Sequence, residues 1–261
     1  MTADPQVTRP AVYPSLADRV VFVTGGASGI GASIVELFCQ QGARTAFVDI
    51  LGDEGRGLSR SIAAAGHLEP LFLECDLRDI EALEAAIASA RSRLGPVTVL
   101  VNNAADDTRH PVDETSVAVW DERIAINLRP SFFAAKAVHA DMKAAGGGSI
   151  VNFGSVSWML AQGGMPGYTT AKAAIHGLTR SLARDFGPDN IRVNTLTPGW
   201  TMTKRQLELW VDEAAEAQIR ESQCLKSPVL PEHIARMVLF LAADDSAMCT
   251  AQNFIVDGGW V

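Results

Sequence analysis

Short apolar runs alternate with helical patterns along almost the whole chain, and this alternation constrains the fold more than any other feature. Seven runs are rich in β-branched and other apolar residues, which is typical of buried strands in a parallel sheet. They cover residues 19–24, 45–49, 71–76, 97–103, 149–153, 191–197 and 253–256. No linker or low-complexity segment interrupts the alternation. The pattern predicts one doubly wound α/β domain, with a mostly parallel seven-stranded sheet and helices on both faces.

The two ends of the chain and one internal segment depart from this pattern. Residues 1–15 contain three prolines and are expected to form an N-terminal arm, which leaves residues 16–261 for the single domain. Residues around 200–230 are polar and only partly helical, so they are expected to form a substrate-loop insertion. The arm lacks the apolar core of a signal peptide, and no run approaches membrane-spanning length. A cytoplasmic location is therefore expected.

Composition narrows the range of partners. The chain has 30 acidic and 22 basic residues and a net charge of -8, which disfavours nucleic acid and anionic membranes as partners. The four cysteines show no C-x-x-C spacing, so reduced thiols are expected. The five histidines show no metal-ligand spacing, and no metal site is predicted. A neutral small molecule remains the expected partner.

The loop after the first strand predicts a dinucleotide site. Ligands of doubly wound sheets bind at the carboxyl ends of the strands, so the residues that follow each strand are the informative ones. Glycines here let the backbone approach a pyrophosphate, which the N-terminus of the next helix attracts. An ordinary tight turn would also use glycines, but the position between the first strand and helix favours dinucleotide binding in a Rossmann-type domain. The predicted contacts are Gly25, Ser28, Gly29, Ile30 and Gly31.

The next two strands end in acids. Asp49 ends the second strand, where a carboxylate can bind the adenosine ribose diol and repel a 2′-phosphate. Because Ile50 follows it and no arginine lies in the glycine loop, NAD is favoured over NADP. Asp76, followed by Leu77 after the third strand, is predicted either to lie near the adenine amino group or to cap a helix.

Later strands supply the rest of the predicted cofactor site. After the fourth strand, the amide of Asn103 and the small Ala104 let the chain lie against the cofactor. The loop after the sixth strand is placed to wrap the nicotinamide end. Its predicted contacts are Pro198, Gly199, Thr201 and Thr203.

A tyrosine and a lysine four residues apart indicate proton-transfer chemistry. Tyr168 and Lys172 lie in a helical pattern, so both side chains leave the same helix face one turn apart. A nearby ammonium favours the phenolate, so the lysine is expected to lower the tyrosine pKa. Ser155 follows the fifth strand and precedes Tyr168 by thirteen residues, which is enough for a loop to bring its hydroxyl to the phenol to bind a substrate oxygen.

Together these segments resemble the short-chain dehydrogenase/reductase family, over residues from about Leu16 to Gly259. The motifs that carry the resemblance are TGGASGIG (24–31), Asp76-Leu77, NNA (102–104), Asn127, Ser155, YTTAK (168–172) and Pro198-Gly199. One departure is Ala105, where the family usually has glycine. This extra methyl group slightly crowds the backbone and removes no catalytic group.

The resemblance implies a role for each matching residue. Tyr168 would be the acid/base, and Lys172 would lower its pKa and hold the nicotinamide ribose. Ser155 would orient the reacting oxygen, and Asn127 would hold a water in a proton relay. The family also implies a homo-oligomer, usually a tetramer, built on the Tyr168 helix and the C-terminal segment.

Within that family the chain is similar to bacterial NAD-dependent aldose 1-dehydrogenases. The shared segments are YPSL (13–16), DDTRH (106–110), WDERIAINLR (120–129), NFGSVSW (152–158), TKRQ (203–206) and QCLK (223–226). The similarity implies oxidation of the C1 hydroxyl of an aldose to the aldonolactone, with a pentose such as D-xylose favoured. Polar groups and indole faces in the loops suit a polyol. The candidate substrate residues are Asp106, Ser155, Ser157, Trp158, Gln162 and Trp200.

Three alternatives stay open on the sequence alone. The substrate could be another sugar such as L-arabinose or galactose, a secondary alcohol or a 3-oxoacyl compound. The chain could instead be a regulatory protein that binds a cofactor without turnover. Asp107, Arg109 and His110 could bind substrate or simply lock a loop.

Overall fold

The strands of the computed structural model, which describes residues 11–261, lie where the apolar runs predict them. They are β1 (Val20–Thr24), β2 (Arg44–Asp49), β3 (Leu71–Glu74), β4 (Val99–Asn102), β5 (Gly148–Phe153), β6 (Ile191–Pro198) and β7 (Asn253–Val256). They form one sheet in the order β3-β2-β1-β4-β5-β6-β7, and each neighbouring pair runs parallel. The predicted seven-stranded doubly wound sheet is confirmed.

Helices connect the strands and cover both faces of the sheet. In residues 11–261 they are α1 (Gly29–Gln40), α2 (Gly52–Ala64), α3 (Ile80–Leu94), α4 (Val117–Asn127), α5 (Arg129–Ala144), α6 (Pro166–Phe186), α7 (Lys204–Leu209), α8 (Glu213–Ser222) and α9 (Pro231–Ala242). The long α6 follows β5 and carries the predicted tyrosine–lysine pair. The short α7 and α8 lie within the predicted insertion around residues 200–230.

The packing of β1 explains why apolar and polar residues do not alternate along this strand. Val21 and Val23 pack in a core with α1 and α9, whereas Val20 and Phe22 face the opposite core with α3 and α5. All four are buried. Burying a large apolar side chain stabilises the fold by about 1.5–3 kcal/mol, so a strand covered on both faces is apolar throughout.

The structure shortens the fourth predicted strand. The apolar run spans residues 97–103, but β4 begins at Val99. The Val97 N–H donates to the Asp141 carboxylate at 3.2 Å, which takes it out of the ladder. The apolar pattern overestimated the length of this strand because it does not show that a carboxylate on α5 accepts the Val97 N–H.

The N-terminal segment makes contacts that its composition does not suggest. Residues 1–10 of the predicted arm lie outside the described residues. Further along, the Tyr13 N–H donates to Gln41 Oε1 at 2.8 Å, and Pro14–Leu16 form a 3₁₀ turn. Leu16 is fully buried in the core. The described end of the arm is therefore fixed to the domain.

Two further observations concern the chain as a whole. Cys39, Cys75, Cys224 and Cys249 are free, as the sequence predicts. Within residues 11–261, no helix is both long enough and apolar enough to cross a membrane.

Candidate active site

The carboxyl ends of the strands open into one cleft with a volume of about 1160 Å³. Small-molecule pockets commonly occupy about 300–1,000 Å³, so this cleft has room for an extended ligand and a second molecule. Sixteen of the seventeen predicted cofactor residues line it. They are Gly25, Ser28, Gly29, Ile30, Gly31, Asp49, Ile50, Asp76, Leu77, Asn103, Ala104, Tyr168, Pro198, Gly199, Thr201 and Thr203.

The glycine loop is held in a turn that only glycines allow. Gly25 and Gly29 have φ angles of +67° and +54°, in the left-handed region. A Cβ on Gly31 would lie 1.8 Å from the Gly25 carbonyl oxygen. The Asn103 side-chain amide donates to the carbonyls of Thr24 and Gly25 at 3.0 and 2.9 Å, which ties the loop to the end of β4. The N-terminus of α1 is thereby fixed in the cleft wall.

The first turn of α1 retains groups that can bind an anion. Ser28 is the N-cap residue, but its side chain makes no capping hydrogen bond. Its hydroxyl and the unpaired N–H groups of the first helical turn are therefore available in the cleft. These are the donors that a pyrophosphate requires.

Asp49 supports the glycine loop as well as lining the cleft. Its carboxylate accepts the N–H groups of Ala27 and Leu51 at 3.0 and 3.1 Å. Leu51, not Asp49, is the N-cap of α2, so Asp49 is not the capping residue of that helix. A carboxylate has about four acceptor sites, so Asp49 keeps capacity for a ribose diol. The adjacent Ile50 is 63% exposed and provides an apolar surface beside it.

Asp76 is already engaged by a neighbouring side chain. Arg78 Nη2 lies 2.6 Å from Asp76 Oδ2, and Arg78 also reaches Glu122 at 2.7 Å. Hydrogen bonds from Arg78 lower the pKa of the Asp76 carboxyl group. Asp79, not Asp76, caps α3. A contact with an adenine amino group would therefore be shared with Arg78.

The phenol of Tyr168 lies beside Ser155 in the cleft. Ser155 directly precedes a 3₁₀ turn, Val156–Trp158, and its Oγ accepts the Ser157 N–H at 3.2 Å. Burial raises the pKa of Tyr168 to about 12, and the hydrogen bond with Ser155 opposes this shift. The sequence-based expectation of a lowered tyrosine pKa is thus wrong for the protein without ligands, because desolvation of the phenolate is the largest effect.

Lys172 lies behind Tyr168, outside the cleft lining. It is only 2% exposed, and its Nζ donates to the Phe153 carbonyl at 2.9 Å. The ammonium lies 5.8 Å from the centroid of the Tyr168 ring. Burial lowers the pKa of Lys172 to about 8. The two side chains thus share a helix face as predicted, and at neutral pH the lysine is still mostly charged.

Asn127 also lies behind the cleft and holds its wall. Its Oδ1 accepts the Asp106 N–H at 2.9 Å, and its Nδ2 donates to the carbonyls of Asp106 and Arg123 at 3.1 and 3.0 Å. The side chain is 2% exposed. The whole amide is therefore used to fix the loop that follows β4, which we define as residues 106–110.

Side chains of the 106–110 loop contact α7 across the cleft. Asp107 accepts from Arg205 Nη2 at 3.2 Å and from Gln206 Nε2 at 2.8 Å. The Arg109 guanidinium lies 4.7 Å from the Trp210 ring centroid, in cation–π geometry. Asp106 lines the cleft, but its carboxylate is paired with Arg123. Asp107 and Arg109 therefore link the loop to residues 204–210. This agrees with the interpretation that these residues lock a loop.

The aromatic wall of the cleft differs from the predicted one. Trp158 does not line the cleft, because its indole, at the end of the 3₁₀ turn, packs edge-on against His176 at 5.2 Å. Trp200 does line it, and its ring stacks with Trp260 at 6.4 Å and 22°. Trp200 Nε1 also donates to Gln206 Oε1 at 2.9 Å. The predicted substrate residues Ser155, Ser157 and Gln162 line the same cleft.

Trp260 also lines the cleft, and it is not among the residues predicted from the sequence. The signal was nonetheless present, since β7 is a parallel strand and its carboxyl end must open at the same edge. Pro198 of β6 pairs with Val256 of β7, so the chain after both strands enters the cleft together. The Asp257 carboxylate then accepts the Trp260 N–H at 3.1 Å and fixes the turn.

A doubly wound sheet whose cleft joins a glycine loop to a serine and a tyrosine, with a lysine buried behind them, defines a class of dinucleotide-dependent oxidoreductases. Residues 25–261 match the family model described as enoyl-(acyl carrier protein) reductase. The chain belongs to the short-chain dehydrogenase/reductase family. Proteins of this family use a nicotinamide cofactor.

Named relatives include sugar dehydrogenases. The chain is 49% identical to a Rhizobium meliloti protein named "Probable galactose dehydrogenase GalD", with 95% of this chain and 96% of that protein covered. It is 46% identical to D-xylose 1-dehydrogenase of Caulobacter vibrioides, with coverage of 96% and 98%.

Solved structures show the same fold. A short-chain dehydrogenase/reductase of Serratia marcescens is 32% identical, with a TM-score of 0.87 over 94% of this chain and 99% of that one. A blue fluorescent protein from a metagenomic library, in complex with NADPH, is 33% identical, with a TM-score of 0.87 and coverage of 95% and 99%.

Proposed function

We propose that this protein oxidises the C1 hydroxyl of an aldose to the aldonolactone with NAD, and that a pentose such as D-xylose is favoured. The observation that carries the proposal is the cleft, which brings Ser155 and Tyr168 together with an acid at the end of β2 and an indole pair after β6 and β7. The sugar dehydrogenases among the relatives, which match over nearly their full length, support the substrate class.

The residues present fit a dinucleotide. Gly31 leaves no room for a Cβ, and the Ser28 hydroxyl and the first N–H groups of α1 are available for a pyrophosphate. Asp49 and Ile50 would hold the adenosine ribose, and the carboxylate favours NAD because it would repel a 2′-phosphate. Pro198, the threonines after it and Lys172 would hold the nicotinamide end. When bound, the cofactor supplies the hydride acceptor.

The chain's own groups handle the proton. Tyr168 Oη, as phenolate, takes the proton of the C1 hydroxyl while the hydride leaves the same carbon. The Ser155 hydroxyl donates a hydrogen bond to that oxygen and fixes its position. Burial raises the Tyr168 pKa, so a positive charge is needed to make the phenolate accessible near neutral pH. The Lys172 ammonium, held by the Phe153 carbonyl, supplies it. The relay role of Asn127 remains part of this proposal.

The substrate end of the cleft suits a neutral polyol. Gln162 offers hydrogen-bonding groups, and the Trp200–Trp260 pair offers flat apolar faces for sugar C–H groups. A steroid or long acyl chain would require a more aliphatic lining. The predicted substrate residues Asp106 and Trp158 do not belong to this sugar site. Asp106 pairs with Arg123, and Trp158 packs on His176.

A substrate panel tests the proposal. Purified protein would be assayed for reduced cofactor with D-xylose, L-arabinose, D-galactose, simple secondary alcohols and 3-hydroxyacyl thioesters, each with NAD and NADP. Aldoses should give the highest kcat/KM with NAD, and NMR of the product should show the lactone. If no aldose reduces NAD at millimolar concentration while another alcohol does, the sugar assignment fails and the dehydrogenase assignment stands.

We also propose a homo-oligomer, with a tetramer favoured. Ile255 on the edge strand β7 and Val261 are 39% and 48% exposed, which leaves apolar surface near the C-terminus for a second copy. Light scattering coupled to size exclusion measures the mass directly. A monomer at micromolar concentration would contradict this part of the proposal.

A further inference from the structure

His110 joins the 106–110 loop to the helix that carries Tyr168. The side chain is 6% exposed. Its Nδ1 lies 2.7 Å from the Thr108 carbonyl oxygen, and the Gly167 N–H donates to its Nε2 at 3.0 Å. A carbonyl only accepts and a backbone N–H only donates, so these partners assign the neutral imidazole with its proton on Nδ1.

The Gly167 N–H is one of the donors that a helix leaves unpaired at its start. The helix α6 begins at Pro166, and the side chain of the preceding residue, Met165, provides no cap. The imidazole of His110 therefore performs the capping function from a different segment of the chain. Gly167 makes this approach possible, because a Cβ there would lie 3.2 Å from His110 Nε2 and 2.8 Å from Arg123 Cβ.

Two more contacts fix the same junction. The His110 N–H donates to the Gly164 carbonyl at 2.8 Å, and Thr115 Oγ1 donates to the His110 carbonyl at 3.0 Å. The neighbouring Arg109 contacts Met165 Sδ. The residue after Gly167 is Tyr168, so the junction lies one peptide away from the proposed acid/base.

The loop on the other side of the junction carries charges that act on the phenol. Burial is the largest effect on the pKa of Tyr168 and raises it; Asp107 and Asp106 raise it further, and Arg109 lowers it. The phenol is on the first turn of α6 and these charges are on the loop. Their separation depends on the connection between the two segments.

We propose that His110 is a positioning residue, whose neutral imidazole holds the first turn of α6 and the 106–110 loop in the relative placement that turnover by Tyr168 requires. This rests on the proposed dehydrogenase function, because the effect is exerted through Tyr168. His110 itself does not line the cleft. Removing it should reduce kcat and leave cofactor binding at the glycine loop unchanged.

Two substitutions separate the two imidazole contacts. In His110→Gln the amide oxygen reaches the position of Nε2 and can accept the Gly167 N–H. In His110→Asn the amide lies at the position of Nδ1 and can donate only to the Thr108 carbonyl. If capping of α6 is the essential contact, kcat should be close to wild type in His110→Gln and should fall roughly 10- to 100-fold in His110→Asn and His110→Ala.

His139→Ala is the matched control, since it removes a histidine packed against the other end of the same helix. His139 stacks on Phe186 at 4.2 Å, eighteen residues or about 27 Å along α6 from Tyr168. This control should lower the melting temperature and keep kcat within about twofold. A kcat loss in His139→Ala equal to that of His110→Ala would show a general stability effect and overturn the proposal.

Hydrogen exchange of the Gly167 amide gives a readout that needs no substrate. Exchange should accelerate in His110→Ala and His110→Asn and stay slow in His110→Gln. Unchanged exchange in all three variants would overturn the proposed cap, whichever substrate the enzyme uses. Unchanged kcat in His110→Ala, with wild-type turnover measured on the best substrate, would overturn the positioning role. Failure of every aldose in the wild type would refute only the sugar assignment.

Discussion

Lys172 Nζ donates to the carbonyl oxygen of Phe153, the last residue of β5, at a distance of 2.9 Å. The contact ties the second turn of α6 to the strand end from which Ser155 follows two residues later. Because Tyr168 is one turn before Lys172 on the same helix, this bond fixes the phenol relative to the serine. The lysine therefore has an architectural contact in addition to its charge.

Replacement of the tyrosine tests the proton-transfer step. Tyr168→Phe keeps the packed ring and removes the only atom that can take the proton, so turnover should fall about 10²- to 10⁴-fold. NAD affinity, measured by calorimetry, should remain within a few-fold of wild type. Tyr13 is the other tyrosine of the chain and lies in the N-terminal segment, so Tyr13→Phe is the matched control. Equal activity of Tyr168→Phe and wild type would refute the mechanism.

The buried lysine should make stability depend on pH. Burial lowers the pKa of Lys172 from 10.5 to about 8, so in this range the unfolded chain binds a proton that the folded chain has released. Stability of the cofactor-free protein therefore rises with pH across the window. At about 1.36 kcal/mol per pH unit, the charged amine costs the folded state on the order of 3 kcal/mol at neutral pH.

Lys172→Met removes this cost, and urea unfolding from pH 7 to 10 measures it. We expect the variant to be more stable than wild type at pH 7, with a difference that shrinks above pH 8. Lys204 has a side chain that is 88% exposed, so Lys204→Met should show no such trend. A constant difference for Lys172→Met across this pH range would contradict the desolvation argument.

Cofactor choice should depend on the acid at the end of β2. Asp49→Ala loses charge-assisted hydrogen bonds to the ribose, worth about 1.5–3 kcal/mol, so kcat/KM for NAD relative to NADP should fall about 10- to 100-fold. The ratio is the appropriate measure because Asp49 also holds the Ala27 N–H, and any loop change affects both cofactors. Asp53→Ala, at a side chain that is 97% exposed, should leave the ratio unchanged. A wild-type preference for NADP would contradict the assignment.

A methyl group in the glycine loop should abolish cofactor binding. In Gly31→Ala the new Cβ would lie 1.8 Å from the Gly25 carbonyl oxygen, so the loop must move away from its binding geometry. Both NAD affinity and melting temperature should fall. Gly57 lies in the interior of α2, and a Cβ there meets no atom within 4 Å, so Gly57→Ala should instead stabilise by about 0.5–1 kcal/mol. Normal NAD binding by Gly31→Ala would contradict the pyrophosphate site.

Substitution of Trp260 and of Trp158 tests which of the two indoles contacts the substrate. Trp260→Ala removes a stacking face worth about 0.5–1.5 kcal/mol, so KM for the sugar should rise about 2- to 10-fold with KM for NAD unchanged. Trp158→Ala should leave both constants near wild type, because Trp158 lies outside the cleft. The opposite result in steady-state kinetics would restore Trp158 as the substrate residue.

The fold was predictable because the central strands β1 and β4 are buried along their whole length, so each occurs in the sequence within a short apolar run. Residues such as Gly31 and Asp49 were predictable for a similar reason, since their position just after a strand decides where they lie. The contacts of His110 and Asn127 were not predictable, because they depend on partners far along the chain. The Tyr168 pKa was predicted in the wrong direction because spacing reveals a neighbouring charge and does not reveal the depth of burial.

The strand order places different parts of the chain along the two ends of the cleft. Segments after β1, β2 and β3, from roughly the first 80 residues, line the proposed adenosine end, and segments after β4 to β7 line the proposed nicotinamide and sugar ends. The coenzyme preference could therefore be changed by grafting a short N-terminal segment. The sugar preference could be changed separately, by substitutions in the C-terminal loops.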